Sequence, residues 1–191
     1  SEMILTVLSA FAQAESESIS QNVARGKRMG YKHGKFAFPY GRIIGYRKGT
    51  GGKPEIIPEQ AEIIRLIFNR YLQGDSLQSI KAKLETVGAL TARGNTAWSA
   101  QSIQRILQNE KYCGDALLQK TFIQDCISKK VIQNNGQLPK YLIQDHHEGI
   151  VSRDVFYAVQ LEIARRRAQT GGTSKSAPTG RSKYSGKYIL T

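Results

Sequence analysis

Ser99, Gln101, Ser102, Gln104 and Arg105 fall within seven consecutive positions and carry side chains suited to reading a polar surface. Ile103, Ile106 and Leu107 lie among and just beyond them at helical spacing. That pattern predicts a helix capped by Ser99, apolar on one side, with Gln101, Ser102, Gln104 and Arg105 on the other. A glutamine amide sets a donor beside an acceptor, the pattern that matches an adenine edge. An arginine fork matches guanine or a phosphate. The polar loop TARGNTA, containing Arg93, leads into this helix.

A second set of residues is purely cationic. Arg25, Lys27, Arg28, Lys32, Lys35, Arg42, Arg47, Lys48 and Lys53 lie within residues 21–53, and that stretch contains no acid. The whole 191-residue chain has 28 Lys plus Arg against 15 Asp plus Glu, a formal charge of +13, so nine of the thirteen excess charges sit in this stretch. A solvated face is the ordinary meaning of a charge run, but the complete absence of acids points to a polyanionic partner, nucleic acid ahead of an acidic membrane. Arg25, Lys27, Arg28, Lys32, Lys35 and Arg42 are the candidate phosphate ligands. Phe36, Phe38 and Tyr40 interleave with the last two of them. They fit either a strand lying along nucleic acid or the edge of an ordinary core.

Hydrophobic residues make up 40% of the chain, enough for a core and too much for wholesale disorder. No apolar run reaches the ~18 residues of a membrane span. No positive charge precedes the apolar N-terminal stretch, so it does not read as a secretory signal. Two cysteines, Cys113 and Cys126, exclude a disulfide scaffold and a four-cysteine zinc site. Cys113 follows Tyr112 at an expected strand start and reads as a small buried residue. His146-His147-Glu148 has no downstream Pro-Cys-x-x-Cys, so it reads as a turn and not as a metal motif. No phosphate-loop motif is present, and no metal ligand or catalytic residue is nominated.

The elements that position these groups follow from periodicity and punctuation. Ile4, Leu8, Phe11, Ile19 and Val23 define a first helix of about 28 residues, roughly 42 Å long, apolar in its first half and basic in its second. The segment 34–41, GKFAFPYG, reads as extended. Gly49 to Gly52 with Pro54 forms a hairpin turn. Pro58 opens a helix with Ile63, Ile64, Ile67, Phe68, Tyr71 and Leu72 on one face, and Gly74 ends it. Asp75 or Ser76 caps the next, with Leu77, Ile80, Leu84 and Val87 inward. The Ser99 helix is third, so the three resemble a helix-turn-helix unit with a long loop. Residues 112–124 and 140–145 read as strands around an exposed loop containing Lys129 and Lys130. Val155 to Arg167 reads as an amphipathic helix, with Val155, Phe156, Val159 and Ile163 inward. A flexible Gly/Ser/Thr/Lys tail follows it.

In this order the segments resemble the large serine recombinases. SESISQNVARGKRMG resembles the end of the long helix that joins that family's catalytic domain to its DNA-binding region. PYGRIIGYR resembles the start of the recombinase domain. The block from Ile63 through GALTARGNTAWSAQSIQRILQNEKYCG resembles its core, with a Trp before the recognition helix and a Tyr-x-Gly after it. HHEGIVSRDVFYAVQ resembles the junction into the last domain.

The resemblance implies a chain taken from a longer protein. The nucleophilic serine and its arginine cluster would precede residue 1, and a Cys-ligated zinc ribbon would follow Thr191. Zinc is then expected only in the parent, and no cofactor in this chain. The parent reaction would be site-specific DNA cleavage and strand exchange through a phosphoserine link. The first helix would meet a partner subunit through Ile4, Leu8 and Phe11, and the segment 34–41 would follow the minor groove.

The expected fold is mainly α with a small β component. It has a long N-terminal helix (1–32), a recombinase DNA-binding domain with a three-helix helix-turn-helix-like core and short strands (33–148), and the start of a C-terminal domain with one helix (149–191). The expected partner is double-stranded DNA, with self-association of the full-length protein and no membrane, in the cytoplasm of a bacterium or phage host. A helix-turn-helix transcriptional regulator and a non-specific basic polyanion-binding protein are the competing expectations.

Overall fold

In the computed structural model, which describes residues 2–125 and 128–171, five α-helices and three two-stranded ribbons carry the chain. The architecture is mainly α with a small β component, as expected. Cys126 and the basic tail residues Lys175, Arg181, Lys183 and Lys187 lie outside the described residues.

Helix α1 spans Glu2–Lys32 and buries none of its residues. It ends where Gly34 turns to a φ of +70°, with the Gly34 N–H donating to Tyr31 O and the Lys35 N–H to Gly30 O. A left-handed residue just past the last turn satisfies carbonyls that the helix leaves open. Strands β1 (Tyr46–Lys48) and β2 (Pro54–Ile56) form the expected hairpin, Tyr46 opposite Ile56.

Helix α2 runs Pro58–Leu72 with proline in its first turn. Helix α3 runs Leu77–Thr86, and Ser76 rather than Asp75 caps it, its Oγ accepting from the Ser79 N–H at 3.1 Å. Asp75 instead pairs with Arg70 at 3.6 Å. Helix α4, Ala100–Leu107, starts at Ser99. Helix α5 covers Arg153–Gly171.

Between α4 and α5, a 3-10 turn at Glu110–Cys113 leads to β3 (Ala116–Leu118), β4 (Thr121–Ile123), β5 (Val131–Gln133) and β6 (Tyr141–Ile143). β3 pairs antiparallel with β6, and β4 with β5, so the β4–β5 ribbon projects beyond the β3–β6 pair. Cys113 ends the 3-10 turn rather than starting a strand. It is buried, and its thiol donates to Glu110 O at 3.1 Å.

Ile64, Ile67 and Phe68 of α2, Ile80 and Leu84 of α3, Ile103 and Leu107 of α4, Tyr112, and Val159 of α5 are fully buried in one cluster. Burying each such side chain is worth about 1.5–3 kcal/mol. α5 closes this same core as a fourth helix, with Phe156, Val159 and Ile163 in the cluster. Arg165 and Arg166 both bind Glu162, and their hydrogen bonds hold its carboxyl down to about 2. Arg166 also lies over the Tyr71 ring at 4.2 Å and donates to Asp75 O, tying α5 to the end of α2.

Two inward expectations fail at helix ends. Val87 is 54% exposed and Leu72 is exposed, because each lies where its helix has turned its last inward residue, Leu84 or Tyr71, onto the core. Residues 34–41 form no strand. With Pro39 lacking an N–H, the segment is irregular and closes in a 3-10 turn at Tyr40–Arg42.

Candidate nucleic-acid interface

The position of α4 is set before its first turn. Trp98 is 4% exposed, its Nε1–H donates to Ala89 O at 2.8 Å, and its backbone N–H donates to Glu85 Oε1 at 3.1 Å. The indole therefore pins the start of α4 to the end of α3. Ser99 and Ser102 then form a reciprocal capping box: the Ser102 N–H donates to Ser99 Oγ at 3.1 Å, and the Ser99 N–H to Ser102 Oγ at 3.3 Å. The Ser102 hydroxyl donates back to Ser99 O at 2.7 Å, so its proton is spent within the helix. With Ile103 and Leu107 inward, Gln101 and Arg105 are fully outward. Ser102 and Gln104 are half-buried, a partial departure from the outward face expected of them.

Arg105 does not stand alone. Arg42 from the Tyr40–Arg42 turn, Arg93 from the loop 91–97, and Arg105 from α4 line one cleft of about 660 Å³, with Ser99, Ser102 and Asn95 among its polar walls and Trp98 and Ile106 among its apolar ones. The loop holding Arg93 is closed by the Thr91 N–H donating to Asn95 O at 2.8 Å and by Gly94 at a φ of +77°. No acid pairs with these three arginines among the described residues. Their charges stay uncompensated across a cleft next to the amide and guanidinium of α4. Such a set can grip phosphates while α4 presents donors and acceptors.

The remaining candidate cations divide in two. Arg25 and Lys32 are exposed on α1, and Arg28 is half-buried with its Nε–H donating to Ala24 O of its own helix at 3.3 Å. Lys27 and Lys35 line a second groove, of about 680 Å³, together with Lys111 and Lys120. No sequence signal marked the last two, which follow α4 in a stretch of near-balanced charge. On the first half of α1, Ile4, Leu8 and Phe11 are 65%, 59% and 70% exposed.

The aromatic segment takes the core-edge alternative. The Phe36 ring lies 4.8 Å from His146, and Phe38 lies 5.1 Å from His147 and 5.6 Å from Tyr46, both edge-on. All three aromatics of 34–41 are half-buried. What the segment presents outward is Lys35, with Ala37, Pro39 and Gly41, and Arg42 is exposed just beyond it.

His147 is the centre of this cluster. Its Nε2 lies 2.7 Å from Lys111 O, a pure acceptor, so Nε2 carries the proton and Nδ1 is left to accept from His146 Nδ1 at 3.2 Å. Burial pushes the His147 imidazole below its ordinary range. The hydrogen bond to Lys111 O opposes that push, and the charges of His146 and Lys111 add to it. Asp115 is the facing acid. A histidine with a depressed folded pKa contributes stability that is complete above the unfolded value of 6.5 and is lost as pH falls through the folded value. The melting temperature should therefore drop below about pH 6.5, and His147→Gln should flatten that drop. An unchanged pH profile in the variant would remove His147 as its source.

Residues 58–166 match the family model described as Recombinase. The chain is 26% identical over 120 residues to a putative DNA recombinase of Bacillus subtilis (strain 168), an alignment covering 60% of this chain and 24% of the relative. Its fold is similar to that of a chain in an LSR–DNA complex, with a TM-score of 0.50 and 21% identity over 74% of this chain and 38% of that one. It is also similar to a structure bearing on the sequence requirements of the Listeria innocua prophage attP site, with a TM-score of 0.56 and 21% identity over 82% of this chain and 57% of that one. This chain thus spans about a quarter of the length of the curated relative.

Proposed function

On the premise that the chain belongs to the Recombinase family, whose model it matches over residues 58–166, we propose that it is the sequence-specific DNA-binding part of a site-specific serine recombinase. The observation that carries this reading is the convergence of Arg42, Arg93 and Arg105 on one cleft beside the polar face of α4. In it, α4 enters the major groove with Gln101 and Arg105 toward base edges, while Gln104, Ser99 and Ser102 border the contact. Arg42 and Arg93 hold phosphates on either side. Arg25, Lys27, Arg28, Lys32 and Lys35 follow the backbone along the second half of α1 and the segment after it. Ile4, Leu8 and Phe11 meet a second copy of α1. In the whole protein the reaction is strand cleavage and transfer through a phosphoserine link, its nucleophile supplied outside this chain.

The experiment is selection from a pool of randomised duplexes, followed by titration of the selected and a scrambled duplex against salt. Neutralising about six to ten phosphates gives a slope of log K on log salt of about −5 to −9. Arg105→Ala should cut discrimination by about 1–3 kcal/mol, and Arg28→Ala should weaken all duplexes alike. Equal affinity for both duplexes at every salt would sink the site-selecting role and leave a general polyanion binder. Unchanged sequence preference in Arg105→Ala would mean that α4 is not the reading helix.

A further inference from the structure

The second groove is built from four separate pieces of chain. Its walls are the α1 face at Gly26, Lys27, Gly30 and Tyr31, the segment Lys35–Pro39, Lys111 in the 3-10 turn, and the run Leu117–Lys120. Four lysines, Lys27, Lys35, Lys111 and Lys120, therefore line one space. Among the described residues, one carboxylate, Glu110, pairs with two of these lysines. Its Oε1 lies 3.2 Å from Lys111 Nζ and accepts from the Leu117 N–H at 3.1 Å, and its Oε2 binds Lys120 Nζ. Burial alone would raise the Glu110 carboxyl. The Lys120 hydrogen bond and the two lysine charges outweigh it and hold the group below the usual carboxylate range, so it is ionised at neutral pH. The five groups sum to a net charge of +3.

Gly26 and Gly30 stand one turn apart on the helical wall. A glycine inside a helix costs roughly 1 kcal/mol against alanine. At Gly26 a Cβ would meet no atom within 4 Å, so packing within the chain does not call for it. Glycine there leaves the α1 backbone bare at the groove wall. Pro39 and Lys111 line this groove, while their near neighbours in the chain, Arg42 and Tyr112, line the arginine cleft.

We infer that the lysine-lined groove is a second site for the DNA phosphodiester backbone, built by Lys27, Lys35, Lys111 and Lys120 and tempered by Glu110. This rests on the DNA-binding reading above and adds a grip that α4 does not supply. Lysine ammoniums act as point charges without the planar fork that reads a base edge, so this groove contributes affinity and salt dependence, and the arginine cleft with α4 contributes choice of sequence. The occupant is a polymeric anion because the charges are spread along an open groove that continues the acid-free second half of α1.

Two substitutions move the readout in opposite directions. Glu110→Gln keeps an oxygen to accept from Leu117 while removing the offsetting charge. It should tighten binding to every duplex and steepen the salt slope by about one, a further roughly three- to fourfold loss of affinity between about 50 and 200 mM salt. Lys120→Gln should make the slope shallower by about one, with the ratio between selected and scrambled duplex unchanged. A general loss of folding cannot mimic the first result. Wild-type slopes in both variants, or weaker binding in Glu110→Gln, would overturn the second site while Arg105→Ala still reported on the reading helix. Failure of the wild-type chain to bind any duplex would instead overturn the DNA-binding reading itself.

Discussion

Trp98→Ala is expected to destabilise the chain by about 3–5 kcal/mol, the usual cost of truncating a large buried aromatic. The effect reaches beyond the lost contacts. The indole joins the end of α3 to the start of α4 by burial and by its hydrogen bond to Ala89 O, beside the Glu85 carboxylate that accepts from the Trp98 N–H. Once it is removed, Ala89 O loses its partner and the Ser99 cap loses its fixed starting direction. Discrimination between DNA sequences should therefore collapse even at temperatures where the variant stays folded. Trp98→Phe separates the two contributions. It keeps most of the apolar surface and leaves one buried carbonyl unpaired, which should cost about 1–3 kcal/mol. Urea unfolding of the three proteins checks this. A loss below about 1 kcal/mol for the alanine variant would show that α4 is held some other way.

Gly114→Ala should cost about 2–5 kcal/mol, from the left-handed penalty plus the shift of packed backbone. Gly114 has a φ of +92°, and a Cβ there would sit 2.6 Å from His147 O. That obstacle is backbone and cannot rotate away. The two segments are stitched at this point by the His147 N–H donating to Gly114 O at 3.3 Å and the Val151 N–H donating to Tyr112 O at 3.0 Å. Gly74 provides the control. Its φ is +104°, but a Cβ there meets nothing within 4 Å, so Gly74→Ala should cost only the conformational part, about 1–2 kcal/mol. Equal thermal shifts in the two variants would show that the close approach at Gly114 carries no energy.

The helices were readable because each carries its own signals: Pro58, Ser76 and Ser99 at starts, apolar residues at helical spacing between. Trp98 and the Tyr-x-Gly of residues 112–114 were visible as a resemblance, and their physical reasons are an indole hydrogen bond and a left-handed close approach. The fate of Phe36 and Phe38 was not readable. Their partners, His146 and His147, come from the far side of the domain, and nothing local distinguishes a core-edge aromatic from an exposed one. Lys111 and Lys120 were invisible for the same reason: a groove assembled from four stretches leaves no trace in any one of them.

Helix α1 is 31 residues long and buries none of them. Among the described residues it is held at its root, by the turn from Gly30 to Lys35 and by the contact of Tyr31 with Tyr141 at 6.4 Å. A rod of roughly 46 Å held at one end is a lever, and a tilt of about 10° at the root displaces the far end by roughly 8 Å. In the pairing proposed for Ile4, Leu8 and Phe11, the distance at which they meet a second copy would therefore be governed by a few ring contacts and a turn at the opposite end. A small repacking there would change which spacing between two bound copies the rods could bridge.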